Sequence, residues 1–187
     1  MIFQWNPHRF SGGALALDVA NSVILRFDPA RCIDRFAVPE QLGAFPDAAA
    51  RLSVERDALG ALDPVAPARQ ARLIALREAI DAHFRHRALH GEDDNRLLAA
   101  LLSALSEILA AHPEPADRVP LDLATARSAI GLLASPETGR LKICPECEWL
   151  FIDRSKNRSR NWCDMAVCGN RTKARLHYGK KRKGSAR

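Results

Sequence analysis

Long apolar runs are missing from this sequence, as are the short motifs that mark many enzymes. No stretch approaches the length of about 18 apolar residues that a membrane span needs, and no apolar signal run follows Met1. A glycine-rich phosphate loop, a nucleophile elbow, a heptad run and an internal repeat are missing too. We therefore expect a soluble, cytoplasmic protein that has no membrane partner and is not an enzyme.

Cysteine is scarce, but four of the five cysteines lie in two close pairs. Cys144 and Cys147 enclose two residues, Cys163 and Cys168 enclose four, and fifteen residues separate the pairs. A tetrahedral zinc ion is commonly held by four thiolates that two short chelating loops supply. The spacing predicts one structural Zn²⁺, because four thiolates leave no open position for water or substrate.

Other uses of these cysteines fit the sequence less well. Disulfide bonds form in oxidising compartments, which the missing signal run does not support. A zinc deaminase would combine His112 and Glu114 with the first cysteine pair. However, Ile143 stands where that signature has proline, and the second pair would stay unused. Cys32 is left over from the four-ligand set, and we expect it to be a buried, small apolar side chain.

The charge of the chain is distributed very unevenly. Residues 1–139 carry 14 Lys and Arg against 18 Asp and Glu, a net charge of −4, whereas residues 140–187 carry 14 against 4, a net charge of +10. Turn-forming residues cluster at 135–139, where the sign changes. We predict a domain over 1–139 and a basic zinc module over 140–187, whose partner is a nucleic acid, most simply DNA.

Seven basic side chains of the module are predicted to contact nucleic acid. Arg171, Arg175 and Arg182 share one helical face with Tyr178, because they are spaced four, three and four residues apart. Alternatively, two or three of the basic residues near the cysteines offset the −2 charge of a zinc ion bound by four thiolates. The predicted contacts are Arg158, Arg160, Arg171, Lys173, Arg175, Lys180 and Arg182.

The acidic part of the chain has the apolar periodicity of helices. Leu73, Leu76, Ile80 and Phe84 recur at helical spacing before Gly91, which predicts a helix over 68–90. A helix over 11–27 is predicted from an apolar stripe of residues spaced four apart, Leu15, Val19, Val23 and Phe27, with a short strand at 15–19 as the alternative. Further helices are predicted between Pro39 and Pro46 and over 47–60, 97–111 and 121–134.

Three polar residues lie on the side of the first predicted helix that faces away from its apolar stripe. They are Asp18, Asn21 and Ser22. They either line a polar ligand pocket or serve as capping and solvated surface residues. For the helical domain as a whole we expect a sensing role or a role in forming a homodimer.

The module itself is predicted to be a small α+β finger. Residues 149–152 have strand character, with Trp149 and Phe151 on one side and Leu150 and Ile152 on the other. A helix over about 169–181 follows the second cysteine pair. A knuckle, a short hairpin and a helix form a treble-clef arrangement, with a zinc ribbon as the alternative. The predicted fold class is mainly α: a helical N-terminal domain plus a small, treble-clef-like zinc finger that the metal stabilises.

The module also resembles a known family. Residues 142–175 contain, in order, Cys-x2-Cys, Trp-Leu-Phe, Asp-x-Ser-x-Asn-Arg-Ser-Arg, Trp-Cys and Met-x-x-Cys-Gly-Asn-Arg-x-Lys-Ala-Arg, which looks like the CGNR zinc finger. In that family the finger follows an N-terminal ABATE domain, and residues 15–23, Leu-Ala-Leu-Asp-Val-Ala-Asn-Ser-Val, are similar to a motif of that domain. The resemblance implies a bacterial, stress-induced transcription regulator that binds zinc and has a nucleic-acid role. A zinc-stabilised adaptor for RNA or protein is the alternative.

Overall fold

A computed structural model describes residues 3–113, 117–175 and 177. It confirms the mainly α fold class, because the described strands form only three two-stranded sheets. The first and third sheets are antiparallel and the second is parallel. No described helix combines the length and the apolar character needed to cross a membrane. The helices are α1 (Leu15–Ala20), α2 (Pro39–Leu52), α3 (Arg56–Leu59), α4 (Gln70–His90), α5 (Asn95–Ala110) and α6 (Leu121–Leu133); the strands are β1 (Val23–Ile24), β2 (Ile33–Asp34), β3 (Leu62–Asp63), β4 (Val119–Pro120), β5 (Leu141–Ile143) and β6 (Leu150–Ile152).

The long helix α4 forms the centre of the fold and agrees with its prediction. Its four periodic apolar residues are all fully buried. The helix ends at Gly91, which has the left-handed φ of 78° that glycine adopts without strain. Asp94 caps the next helix, α5, by accepting hydrogen bonds from the backbone N–H groups of Arg96 and Leu97. These caps separate α4 and α5, which then pack side by side.

Two predicted helix boundaries are wrong. A single helix, α2, passes through Pro46, where a break was predicted. Proline removes one backbone hydrogen bond, but Phe45 and Pro46 are buried here, so tertiary packing outweighs the local cost. The helix predicted over 11–27 contains only α1, because the chain turns at Asn21 to enter β1. Phe27, predicted to belong to the apolar stripe, is 64% exposed.

Two hydrophobic cores lie on either side of α1. The first joins α1, α4, α5 and α6 to the two strands of the finger, which contribute Leu141, Leu150 and Ile152. The second is rich in aromatic residues and includes Phe10, Phe36 and Phe45. The predicted boundary at residue 139 therefore does not separate two cores, because side chains from the finger complete the core of the helices.

Polar contacts bind α1 to β6 at the same place. The Asn21 side chain donates to the Leu150 carbonyl at 2.8 Å and accepts from the Leu150 N–H at 2.9 Å, so it pairs with the strand as a neighbouring backbone would. The Ile152 N–H donates to the Gly12 carbonyl at 2.9 Å. A Cβ atom on Gly12 would lie 2.8 Å from the Leu17 Cβ, so glycine is needed where the chain approaches α1 so closely.

We predict that Asn21→Ala destabilises the whole protein. The change leaves two buried backbone groups of Leu150 without partners, which costs about 2–5 kcal/mol in the free energy of unfolding. Urea unfolding of the zinc-loaded chain measures this loss. Asn157→Ala is the control, because Asn157 is exposed. Equal stability of the two variants would show that the Asn21 amide does not hold β6 in place.

Candidate metal centre

The four paired cysteines converge on one buried point. Their sulfur atoms all lie within 4.8 Å of one another. The Sγ atom of Cys147 is 3.6 Å from that of Cys163 and 3.7 Å from that of Cys168, and the last two are 3.7 Å apart. Four sulfurs at about 2.3 Å from one ion would be about 3.8 Å apart in a tetrahedron. The set therefore fits one structural zinc ion, with Cys144, Cys147, Cys163 and Cys168 as its ligands.

The first ligand pair lies in the turn between β5 and β6. The Cys144 N–H donates to the Trp149 carbonyl at 2.9 Å, which extends the pairing of the two strands. The Glu148 N–H then donates to the Cys144 carbonyl at 2.8 Å. Glu148 has a left-handed φ of 63°, so the turn is tight enough to direct both thiols to the same side.

The second ligand pair lies around a single turn of π-helix, Met165–Gly169. Asp164 caps this turn, because its carboxylate accepts from the N–H groups of Ala166 and Val167. The turn carries Cys168 and leads into a helical segment over residues 170–175. Cys168 is therefore close to the start of this helical segment, whereas Cys163 lies before the capping residue Asp164.

Glu146, between the first two ligands, ties the knuckle to that helical segment. Its carboxylate accepts a hydrogen bond from Thr172 at 3.1 Å and forms an ion pair with Arg175 at 2.7 Å. The Thr172 hydroxyl also lies 3.1 Å from the Cys168 carbonyl. These contacts hold the two ligand pairs together independently of a metal ion.

Strand β6 divides its side chains between the metal centre and the helical core, as predicted. Trp149 and Phe151 pack with the four cysteines, whereas Leu150 and Ile152 lie in the first hydrophobic core. The Trp149 indole N–H also donates to the Val23 carbonyl at 3.0 Å. The metal centre thus packs against the N-terminal, mainly helical part of the chain.

The N-terminal segment closes the outer side of the metal centre. His8 Nε2 lies 3.7 Å from the Cys168 sulfur, and the His8 ring is tilted against Trp149 with 5.0 Å between centroids. Burial lowers the pKa of His8, which favours the neutral ring, although Asp164 opposes this effect. Arg9 lies over Trp149, 5.5 Å from its ring centroid. Sequence reasoning missed both residues, because nothing in the sequence links them to cysteines more than 130 positions away.

Mutual contact strongly perturbs the thiols before any metal binds. Hydrogen bonds from Cys147 and the other thiols lower the pKa of Cys144, whereas the contact with Cys144 raises the pKa of Cys147 and of Cys168. Binding of a divalent cation displaces protons from the thiols, so metal affinity should rise with pH.

Asp153 organises the basic loop between β6 and the second ligand pair. Its buried carboxylate accepts from Lys142 at 2.7 Å, from the Ser155 hydroxyl at 2.6 Å and from the Arg160 N–H at 3.0 Å. Burial alone would raise the pKa of Asp153, but these donors hold it well below its usual range. Lys142 also donates to the carbonyls of Arg158 and Arg160. The conformation of the loop therefore depends on the ion pair between Lys142 and the buried Asp153.

The seven predicted nucleic-acid contacts have different surroundings. Arg158, Arg171 and Lys173 are exposed. Arg160 is engaged within the finger: it donates to the Trp162 carbonyl and lies 5.1 Å from the Phe151 ring centroid. Arg175 is paired with Glu146, as described above. Lys180 and Arg182, together with Tyr178, lie outside the described residues.

The three residues considered for a ligand pocket are buried. Asp18 accepts from the Gly12 N–H at 3.0 Å, and burial raises its pKa well above the usual value. Asn21 binds Leu150, and the Ser22 hydroxyl accepts from Arg77 at 3.2 Å. They are not a solvated surface, and their contacts are with other parts of the chain. A cavity of about 490 Å³ lies elsewhere, beside Trp5 and Gln41.

The prediction for Cys32 is wrong. It is exposed rather than buried, because it follows the turn at Asp28–Arg31 and precedes β2 at the edge of the protein. The buried sulfur cluster contains the other four cysteines and not Cys32. His112 binds the buried Asp122, with 3.0 Å between Nε2 and Oδ2, and takes no part in the cluster.

Comparison with known proteins supports the zinc finger. Residues 140–181 match the family model described as the CGNR zinc finger. No curated protein matched the chain. The matched residues contain all four cysteines, so the family match and the sulfur geometry independently indicate the same metal-binding unit.

We predict that Cys163→Ser and Cys168→Ser each lose the bound metal. Three thiolates hold zinc far more weakly than four. Elemental analysis of the purified chain should give about one zinc per wild-type chain and little in either variant. Cys32→Ser should retain the wild-type zinc content. Retention of full zinc by Cys163→Ser would contradict the ligand set.

We predict that Asp153→Ala loosens the basic loop. Lys142, Ser155 and Arg160 lose their buried acceptor, so the loop should open to trypsin after Lys156 and Arg158. Timed trypsin digestion followed by mass spectrometry measures cleavage at these sites. Asp57→Ala is the control because Asp57 is exposed. A cleavage rate equal to that of the control would mean that Asp153 does not shape the loop.

Proposed function

We propose that this chain is a zinc-stabilised transcription regulator whose basic finger binds DNA. The observation that carries the proposal is the net charge of +10 on residues 140–187 in a chain whose remaining residues are net acidic. Excess positive charge confined to one small unit favours a polyanionic partner for that unit.

The basic side chains of the finger divide into those that have a partner within the protein and those that do not. Five basic residues are engaged within the protein: Lys142 with Asp153, Arg154 with Glu137, Arg175 with Glu146, and Arg140 and Arg160 with backbone carbonyls. In the described part of the finger, four exposed cations have no such partner. They are Lys156 and Arg158 in the loop that Asp153 organises, and Arg171 and Lys173 in the helical segment after Cys168.

These four cations are not all needed to balance the metal centre. Arg9, from the N-terminal segment, lies against Trp149 and is attracted by Cys147. His8 contacts the Cys168 sulfur. Part of the −2 charge of a zinc tetrathiolate is therefore offset from outside the finger, which leaves the exposed loop and helix cations available for phosphate groups.

In this proposal the helical part senses a signal or forms a homodimer. This role agrees with the resemblance of residues 15–23 to the ABATE domain. Because the finger strands complete the helical core, a change in the packing of α1 or α4 would reach the finger directly. The proposal includes no catalytic step.

We predict that Arg158→Gln and Lys173→Gln weaken DNA binding and reduce its salt dependence. Each variant should lower the slope of log K against log salt by about 1, equally for unrelated DNA sequences, because phosphate contacts carry no base information. Fluorescence anisotropy with a labelled duplex at several salt concentrations measures the slope. Arg96→Gln is the matched control, since Arg96 is an exposed arginine on α5.

Three outcomes would contradict the proposal. Unchanged slopes in both variants, with zinc content intact, would mean that these residues do not touch DNA. Stronger binding to an RNA of the same length, or no binding to either polymer, would favour the adaptor function instead.

A further inference from the structure

Two partly buried arginines have no carboxylate partner among the described residues. Among the described residues, every other arginine that is not solvent-exposed forms an ion pair or donates a hydrogen bond, as Arg77 does to Asp34 and Arg85 to Asp81. Arg9 and Arg35 are partly buried, and the Nε atom of each is shielded from solvent without a hydrogen-bond acceptor. Such groups cost folding free energy unless an anion reaches them.

Aromatic rings hold both guanidinium groups in place. The Arg35 guanidinium carbon lies 4.3 Å from the ring centroid of Phe3, and that of Arg9 lies 5.2 Å from the same ring. Arg9 also contacts Trp149 of the metal centre. Arginines positioned by stacking present their N–H groups in a fixed orientation, which suits the recognition of oxyanions such as phosphate.

The two arginines belong to a larger positive group. Burial, followed by repulsion from Arg35 and from Arg171, lowers the pKa of Arg9 to about 10. Arg9 therefore stays protonated at neutral pH although other cations surround it. Cys147 favours its charge, but no carboxylate forms an ion pair with it among the described residues.

Arg9 and Arg171 line one open cleft of about 420 Å³ between the N-terminal turn and the π-helical turn. Asn6 and His8 lie on its N-terminal side, and Asp164 faces it from the finger. The Asp164 carboxylate accepts two backbone hydrogen bonds and lies 3.3 Å from His8 Nδ1. Its charge is thus partly engaged, and the two arginines leave the cleft positive.

We propose that this cleft binds a phosphate group, with Arg9 and Arg171 as its direct donors and Arg35 strengthening the positive field behind them. A concave site suits the terminal phosphate of a small ligand, because its doubly charged group can meet two guanidinium groups. A phosphodiester of a nucleic-acid backbone has the same oxygens but a single charge. Arg171 also belongs to the proposed DNA contact, whereas Arg9 and Arg35 do not.

Calorimetric titration of the zinc-loaded full chain with inorganic phosphate tests the proposal, with chloride used to keep the ionic strength constant. Saturable binding is expected, and Arg9→Gln and Arg171→Gln should each weaken it about tenfold, because each removes charge-assisted hydrogen bonds. Arg35→Gln should weaken it less. Arg96→Gln, which removes an exposed charge on α5, should leave it unchanged.

Two further titrations identify the source of the phosphate group. Dimethyl phosphate tests the singly charged diester, and a short duplex tests whether DNA displaces inorganic phosphate. Stronger binding of inorganic phosphate than of dimethyl phosphate, with no displacement by the duplex, assigns the cleft to a small phosphorylated ligand. Equal binding of both probes together with displacement assigns it to the DNA backbone. Both results support the phosphate site.

Zinc content is measured for every variant, since Arg9 lies beside the metal centre. If Arg9→Gln loses zinc, Arg9→Lys and Arg171→Gln provide the test, with partial retention of affinity expected for the lysine. Phosphate binding no stronger than that of chloride, or binding that none of the three arginine variants weakens, would overturn the proposal. These titrations without DNA can fail while DNA binding holds, and the converse also applies.

Discussion

The structure depends on the alternation of side chains along β6. Three consecutive residues place Leu150 and Ile152 in the core of the helices, and Phe151 beside the sulfur cluster. Because successive side chains of a strand point to opposite faces, a shift of one residue would exchange the two sets. Asn21 prevents such a shift by pairing with both backbone groups of Leu150. The stability of the helices and the geometry of the metal centre therefore rest on one short strand.

This arrangement has a consequence for metal binding. Small zinc fingers commonly fold only with their metal, since they bury little apolar surface. Here the finger strands are covered by α1 and α4, and contacts such as that between Glu146 and Arg175 join the two ligand pairs. Much of the ligand geometry is thus set by the protein. Binding of zinc adds stability to the helical core as well as to the finger, because the two share side chains.

Buried and exposed charges of this protein differ in whether they have partners. Buried charges are compensated where shape must be held, as in the ion pair between Lys142 and Asp153. The exposed cations of the loop and of the following helix are left without partners, and Arg9 and Arg35 on the other side of the metal centre have no carboxylate partner. These cations on two sides of one zinc centre favour a polyanion on the finger and a phosphate group in the cleft.

The sequence by itself determined the metal ligands, the helical class and the two faces of β6. Each of these follows from local spacing: paired cysteines form chelating turns, a period near four buries one side of α4, and a period of two divides the strand. Contacts between distant parts of the chain were decided only by the tertiary structure. Pro46 stays within α2 because its surroundings bury it. The Asn21 side chain forms hydrogen bonds with Leu150 of β6 and does not line a pocket. His8 and Arg9 reach the cysteines only because the folded α1 brings the N-terminus to the finger, a long-range contact that no local pattern encodes.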